Sequence, residues 1–131
     1  MGTKSVSSLK KKLDKIFSQY IRLRDSNDKG YGDCITCGKE FYWKDAHAGH
    51  FVSRRVNSLR YDEQNVNLQC NYDNTYGGGE QYAYAKALDM KYGDGTAERL
   101  HARRFETHKF TIGELEALIE EYKEKVKEEE K

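Results

Sequence analysis

A histidine pair stands between two pairs of candidate metal ligands in this chain. Cys34-Ile35-Thr36-Cys37 comes first, then His47-Ala48-Gly49-His50. Asn65-Val66-Asn67-Leu68-Gln69-Cys70 follows, and then Asp73-Asn74. These residue types suit phosphodiester hydrolysis. Such a reaction needs a base for water, a cation for developing negative charge, and a rigid frame that keeps them in line. An imidazole titrates near ~6.5, so His50 suits the base. A hard divalent cation prefers oxygen ligands but accepts one imidazole. His47 offers a ring nitrogen and Asn74 an amide oxygen. A lone histidine before an apolar run reads as a satisfied core residue. The company of His47 and Asn74 argues for a site instead.

The frame points to a metal. Two thiolates three positions apart on a tight turn, Cys34 and Cys37, can reach one zinc ion, and Cys70-x2-Asp73 repeats the spacing. Asp73 is the favoured fourth ligand of a structural zinc, with a water or Asn71 as alternatives. A redox Cys-x-x-Cys pair would sit in a βαβ pattern, which this segment lacks. Three cysteines cannot all pair within one chain, which argues for a reducing compartment and a cytosolic protein. No apolar run is long enough to cross a membrane, and no signal-peptide pattern opens the chain.

Helices must hold this centre. Apolar residues at Leu9, Leu13, Ile16, Phe17, Tyr20 and Leu23 predict an amphipathic helix from about Ser8 to Arg24. Phe41–Trp43 and Gly49–Val52 predict short strands, and a helix is expected to begin at Cys70 and break at Gly77-Gly78-Gly79. Glu80 to Tyr92, Ala97 to Glu106 and Thr111 to about Lys127 predict three more helices. The last opens with Thr111 and Glu114 as a capping box and Phe110 stapled to Leu115. His101 and His108 read as surface histidines without partners, and Glu128 to Lys131 as a frayed end. The organisation expected is one domain over 1–131, with an N-terminal helix in 8–30, a zinc core in 31–79 and a helical part in 80–131.

The composition sets limits. The 131 residues are 37% hydrophobic and 34% charged, so the core is modest and a metal staple useful. Net charge is only +1, but residues 1–60 carry +7 and residues 61–131 carry −6, which suggests one face for a polyanion. Arg54 and Arg55 follow the candidate base closely and suit a phosphate clamp. Arg60, Arg103 and Arg104 could track more distant backbone. Some of the ten tyrosines could stack on unpaired bases, though most read as packing residues.

Together these words resemble the His-Asn-His (HNH, ββα-metal, His-Me finger) nuclease motif on a treble-clef zinc core. More closely, the chain resembles the NinG (Rap) family of lambdoid-phage recombination endonucleases. Cys34–Gly38, Ala48–Phe51, Asn65-Val66, Gln69-Cys70 and Asn74 carry the likeness, and it extends to the leading helix and the His108–Ile112 segment. The resemblance implies an α+β fold with N- and C-terminal helices flanking the ββα-metal core. It implies His50 as general base, Asn65 as the amide that braces the loop and orients the His50 ring, and Asn74 as metal ligand. His47 falls where the family usually has an aspartate, with Asp45 as a substitute. Asp73 falls where it usually has a fourth cysteine. The implied cofactors are structural Zn2+ and a catalytic Mg2+ or Mn2+. The implied partner is branched DNA such as Holliday junctions and D-loops, cut by a homodimer in the host cytoplasm, with the amphipathic terminal helices as candidate interface. A long N-terminal extension, which such phage proteins can carry, is expected to be missing. Two rival expectations stand: an HNH nicking or restriction-type nuclease on linear duplex, and a non-catalytic zinc module that only binds DNA.

Overall fold

Ser5, not Ser8, starts the first helix. In the computed structural model, which describes residues 4–130, the Ser5 side chain accepts from the Ser8 N–H and Ser8 returns the bond, so α1 runs Val6–Arg24. Its apolar stripe faces α5, Ile112–Glu129, and the two helices form the larger core. Leu13, Ile21 and Leu115 are fully buried there, and Phe17 stacks edge-on against Tyr122. Burying each such side chain is worth roughly 2 kcal/mol. The faces expected to serve a dimer are therefore consumed within one chain. α5 includes Glu128 and Glu129, the first two residues of the expected solvated end; Lys131 lies outside the described residues. Its cap is half of the expected box: the Thr111 hydroxyl accepts from the Glu114 N–H, but the Glu114 carboxylate bonds His108 Nε2 at 2.8 Å. His108 thus has a partner after all.

Between these helices lie two small antiparallel sheets, so the fold is α+β. β1 (Tyr31–Asp33) pairs with β2 (Glu40–Tyr42), and β3 (His47–His50) pairs with β4 (Val66–Gln69). Of these, β1 was not foreseen, and the segment that becomes β4 was expected only to lead into Cys70. The β3–β4 register sets His50 opposite Val66 and His47 opposite Gln69. Gly49 lies against the Gln69 side chain, where a Cβ would collide with the Gln69 amide oxygen. A short helix α2 (Asn57–Arg60) lies in the connection between β3 and β4. After β4 the chain makes a single π-helical turn, Tyr72–Tyr76, before the glycines.

The rest of the chain is helical. α3 (Gln81–Tyr92) and α4 (Thr96–Ala102) pack on the 51–59 segment to form a second apolar cluster containing Phe51, Val52, Leu59, Tyr84 and Leu88. α4 ends earlier than expected, because Arg103 turns back to Glu106 at 3.0 Å and reaches Asp62. The β3–β4 hairpin touches both clusters: Ala48 and Val66 face the first, and the residues just after β3 enter the second. No helix among the described residues is long and apolar enough to cross a membrane.

Candidate metal centre and adjoining cleft

Four candidate ligands converge at the base of the hairpin. Ligand atoms of Cys34, Cys37, Cys70 and Asp73 all lie within 4.8 Å of one another. Cys37 Sγ is 4.0 Å from Cys70 Sγ, and Cys34 Sγ is 3.9 Å from Asp73 Oδ2. Tetrahedral zinc with ligands near 2.3 Å requires ligand separations of about 3.8 Å, so the spacing fits. The surroundings are those of thiolates. The N–H groups of Cys37 and Cys70 point at the Cys34 sulfur at 3.4 and 3.2 Å, and the Asp73 N–H points at Cys70 at 3.4 Å. Gly38 closes the first knuckle with a positive φ of 77°, a conformation glycine adopts at no steric cost. Thr36 donates to Asp73 Oδ2 at 2.7 Å and orients that carboxylate.

Proton energetics agree. Burial raises the Cys34 thiol, but hydrogen bonds to its sulfur, those of the Cys70 and Cys37 N–H groups among them, outweigh it and hold Cys34 below the ordinary thiol range. Burial, with the neighbouring sulfurs, pushes Cys70 up to about 12. Three clustered sulfurs cannot all be thiolates without added positive charge. The Cys3Asp cluster can therefore hold a metal ion such as zinc.

Beside this centre, a cleft of about 630 Å³ opens along β3. His47, His50 and Asn74 all line it, with Arg54 and Arg60. Two elements bring the polar groups together: β3 supplies both histidines, and the π turn after Asp73 presents Asn74. Asn74 Nδ2 donates to His47 Nδ1 at 3.1 Å. An imidazole nitrogen and an amide group this close can share one hard cation.

His50 is held differently. Its Nε2 lies 2.9 Å from the carbonyl oxygen of Arg60. A carbonyl can only accept, so Nε2 carries the proton and Nδ1 keeps the lone pair. Burial is the largest influence on this ring and favours its neutral form. The charges of Arg60 and Arg54 act the same way, against the Arg60 carbonyl and Asp14, and the pKa falls below the ordinary value. The result is a ring favoured in its neutral form, with the proton on Nε2 and the lone pair on Nδ1.

Of the two roles expected of Asn65, it braces the loop directly but does not touch the His50 ring. It is fully buried, and its amide braces the connection between the strands: Oδ1 accepts from the Val52 N–H at 2.8 Å, and Nδ2 donates to the Val52 and Leu59 carbonyls. It makes no hydrogen bond to the His50 ring. Its effect on His50 passes through α2, where it fixes the carbonyl next to the one that holds the ring.

The arginines divide. Arg54 lines the cleft, where its charge acts on Asp14 and His50. Arg60 and Arg103 are engaged internally: Arg60 forks onto Asp14, with Nε at 2.8 Å, and Arg103 onto Glu106 and Asp62. An occupied fork cannot also clamp a phosphate. Arg104 donates to the His101 carbonyl and covers the exposed Phe105 ring, away from the cleft. Sequence reasoning missed Lys44 and Asp14, which also line the cleft. Lys44 had a signal in its position three residues before His47; Asp14 had none.

A match to known proteins covers more of the chain than these motifs. The family model described as NinG, Bacteriophage Lambda NinG protein, matches residues 1–131. Protein ninG of Escherichia phage lambda is 28% identical over 120 residues, covering 89% of this chain and 55% of that protein. Protein ninG of Salmonella phage P22 is also 28% identical, with the same coverage, and that of Escherichia phage 933W is 27% identical, with 89% and 56% covered. The chain thus spans about half the length of the curated relatives it matches. No solved structure matches it. The full-length match places the cysteine cluster and the cleft in a known lineage, and the chain belongs to the NinG family.

Proposed function

We propose that this protein is a metal-dependent DNA endonuclease that acts on branched recombination intermediates, built on a ββα-metal (HNH) core with one structural zinc. The single observation that carries the reading is the cleft: His50, with its proton on Nε2 and its neutral form favoured, lines the same space as the His47–Asn74 pair. In the proposed core, β3, β4 and the turn bearing Asn74 form the ββα unit, and Cys34, Cys37, Cys70 and Asp73 would hold the zinc. Branched DNA as substrate follows from the family resemblance of the motifs.

His47 and Asn74 would hold Mg2+ or Mn2+, which supplies positive charge beside the phosphoryl and leaving oxygens when bound. His50 Nδ1 takes a proton from water. The water oxygen bonds to phosphorus as the P–O3′ bond opposite it breaks. The 3′ oxygen takes a proton from solvent, leaving a 3′-hydroxyl and a 5′-phosphate. Arg54 and Arg55 grip neighbouring phosphates, and Lys44 adds charge at the cleft wall.

The test is direct. Labelled four-way junction and matched linear duplex are incubated side by side with Mg2+, Mn2+ or EDTA. The junction should be cut faster than the duplex with either metal, and neither should be cut in EDTA. Equal rates would favour the duplex-nicking alternative; no cutting at all would leave only a DNA-binding zinc module. The pH profile gives a second check. The base must be neutral to work, and the fold favours its neutral form. kcat/KM measured from about pH 5 to 8 should therefore rise and level off with a midpoint below the ordinary histidine value of ~6.5. A midpoint above that value would contradict the assignment of His50.

A further inference from the structure

The N-terminal helix lies outside the hairpin and the cysteine cluster, yet it forms part of the cleft wall through Asp14, Phe17, Ser18 and Arg22. Asp14 is the one carboxylate among the residues that line the cleft. Its Oδ1 accepts from Arg60 Nε at 2.8 Å and from the Tyr61 hydroxyl at 2.8 Å, and its Oδ2 accepts from Arg60 Nη2 at 2.5 Å. The remaining edge of the Arg60 fork donates to the Arg54 carbonyl at 3.2 Å. Tyr61 is fixed further by edge-on packing on Phe17.

These contacts converge on one peptide. The carbonyl that holds His50 Nε2 belongs to the Arg60–Tyr61 peptide bond. The side chains on both sides of that bond are anchored on the same carboxylate. An exposed ion pair contributes little, but the Arg60 side chain is only 13% exposed and its bonds to Asp14 are bidentate. Asp14 stays ionised, because Arg60 and Tyr61 outweigh its burial and hold it below the ordinary carboxylate range. The same fork ties down the backbone of Arg54, a proposed phosphate contact.

We propose that Asp14 is a positioning residue for the candidate base: by gripping Arg60 and Tyr61 it fixes the 60–61 peptide, whose carbonyl keeps the proton on His50 Nε2 and leaves Nδ1 as the acceptor. Its catalytic consequence rests on the nuclease reading above; its structural consequence does not. α1 is then part of the reaction machinery and not merely a helix that covers the core.

Two readouts on the full chain test this. Long-range 1H–15N spectra of the histidine rings report which nitrogen carries the proton, and they need no DNA. Wild-type His50 should show the Nε2–H form, and Asp14→Ala should turn it into a mixture of both tautomers. Cleavage of the junction should then lose about tenfold or more in kcat, since small misplacements of a reacting group have large effects, while junction affinity in EDTA is kept. Tyr61→Phe, which removes one grip and keeps the ring, should move both readouts the same way by less. It also keeps the test alive should Asp14→Ala fold poorly. Ile119→Val, which loosens the α1–α5 core away from the cleft, should move neither readout. Wild-type spectra of His50 and wild-type kcat in both Asp14→Ala and Tyr61→Phe would overturn the proposal, as would a wild-type ring protonated at Nδ1. A wild type that cuts no DNA, with a His50 ring that still responds to Asp14→Ala, would overturn the nuclease reading and uphold the positioning.

Discussion

Cys37→Ala should unfold the centre of this protein, although the thiol removed is exposed. Cys34 and Cys70 are buried, so their loss would mix packing with ligation; Cys37 is exposed and separates the two. Without a metal, replacing an exposed thiol changes stability by no more than about 0.5 kcal/mol. With zinc shared among Cys34, Cys37, Cys70 and Asp73, it removes one of four ligands from an ion whose binding free energy is folding free energy. A loss of about 4 kcal/mol or more is expected, which for a chain of this size lowers Tm by roughly 15 °C. The effect should be local at first. The cluster ties the first knuckle to the end of β4 and to the turn that carries Asn74, whereas the α1–α5 core has its own apolar contacts. Metal analysis of the purified wild type should find about one zinc per chain, and a strong chelator should reproduce the melting of the variant. A Cys37→Ala protein that melts with the wild type would remove the metal from the account.

The sequence made some of this legible and hid the rest, for physical reasons. Spacing along the chain reports local geometry. Cys34-x2-Cys37 and Cys70-x2-Asp73 announced two knuckles, and the four side chains do meet. Helical periodicity announced α1 and α5, because the stripe of Leu9, Leu13 and Phe17 must find an apolar partner. The hairpin was harder: β4 alternates apolar and polar residues over only four positions, Val66-Asn67-Leu68-Gln69, too short a run to stand out, and all four are buried. Contacts made by backbone were invisible. The partner of His50 is the carbonyl of Arg60, and every residue type carries a carbonyl. Charge pairing over long separations was hidden too. Arg60 looked like a phosphate contact until Asp14, 46 residues away, was found in its fork. Asn65 carries the loop-bracing half of its expected role directly, by fixing the 52–59 backbone, and reaches His50 only at one remove.

His50→Ala should abolish cleavage while leaving DNA binding and folding in place. The ring is held by a single hydrogen bond to the Arg60 carbonyl, and the hydrogen-bonded pair of His47 and Asn74, the proposed metal ligands, does not involve it. Its loss removes the one lone pair assigned to take the proton from water, and general-base catalysis of this kind contributes about 10²- to 10⁴-fold. In the proposed function junction binding rests instead on phosphate contacts from Arg54 and Arg55, so Kd should stay near wild type and keep a steep salt dependence. The measurement that bears most directly on the whole reading is therefore cleavage and binding of one four-way junction by wild type and His50→Ala, in the same Mg2+ buffer. The expected result is a loss of cleavage by at least about 100-fold with unchanged affinity. A His50→Ala protein that cuts at the wild-type rate would contradict the assignment of this cleft as a nuclease site.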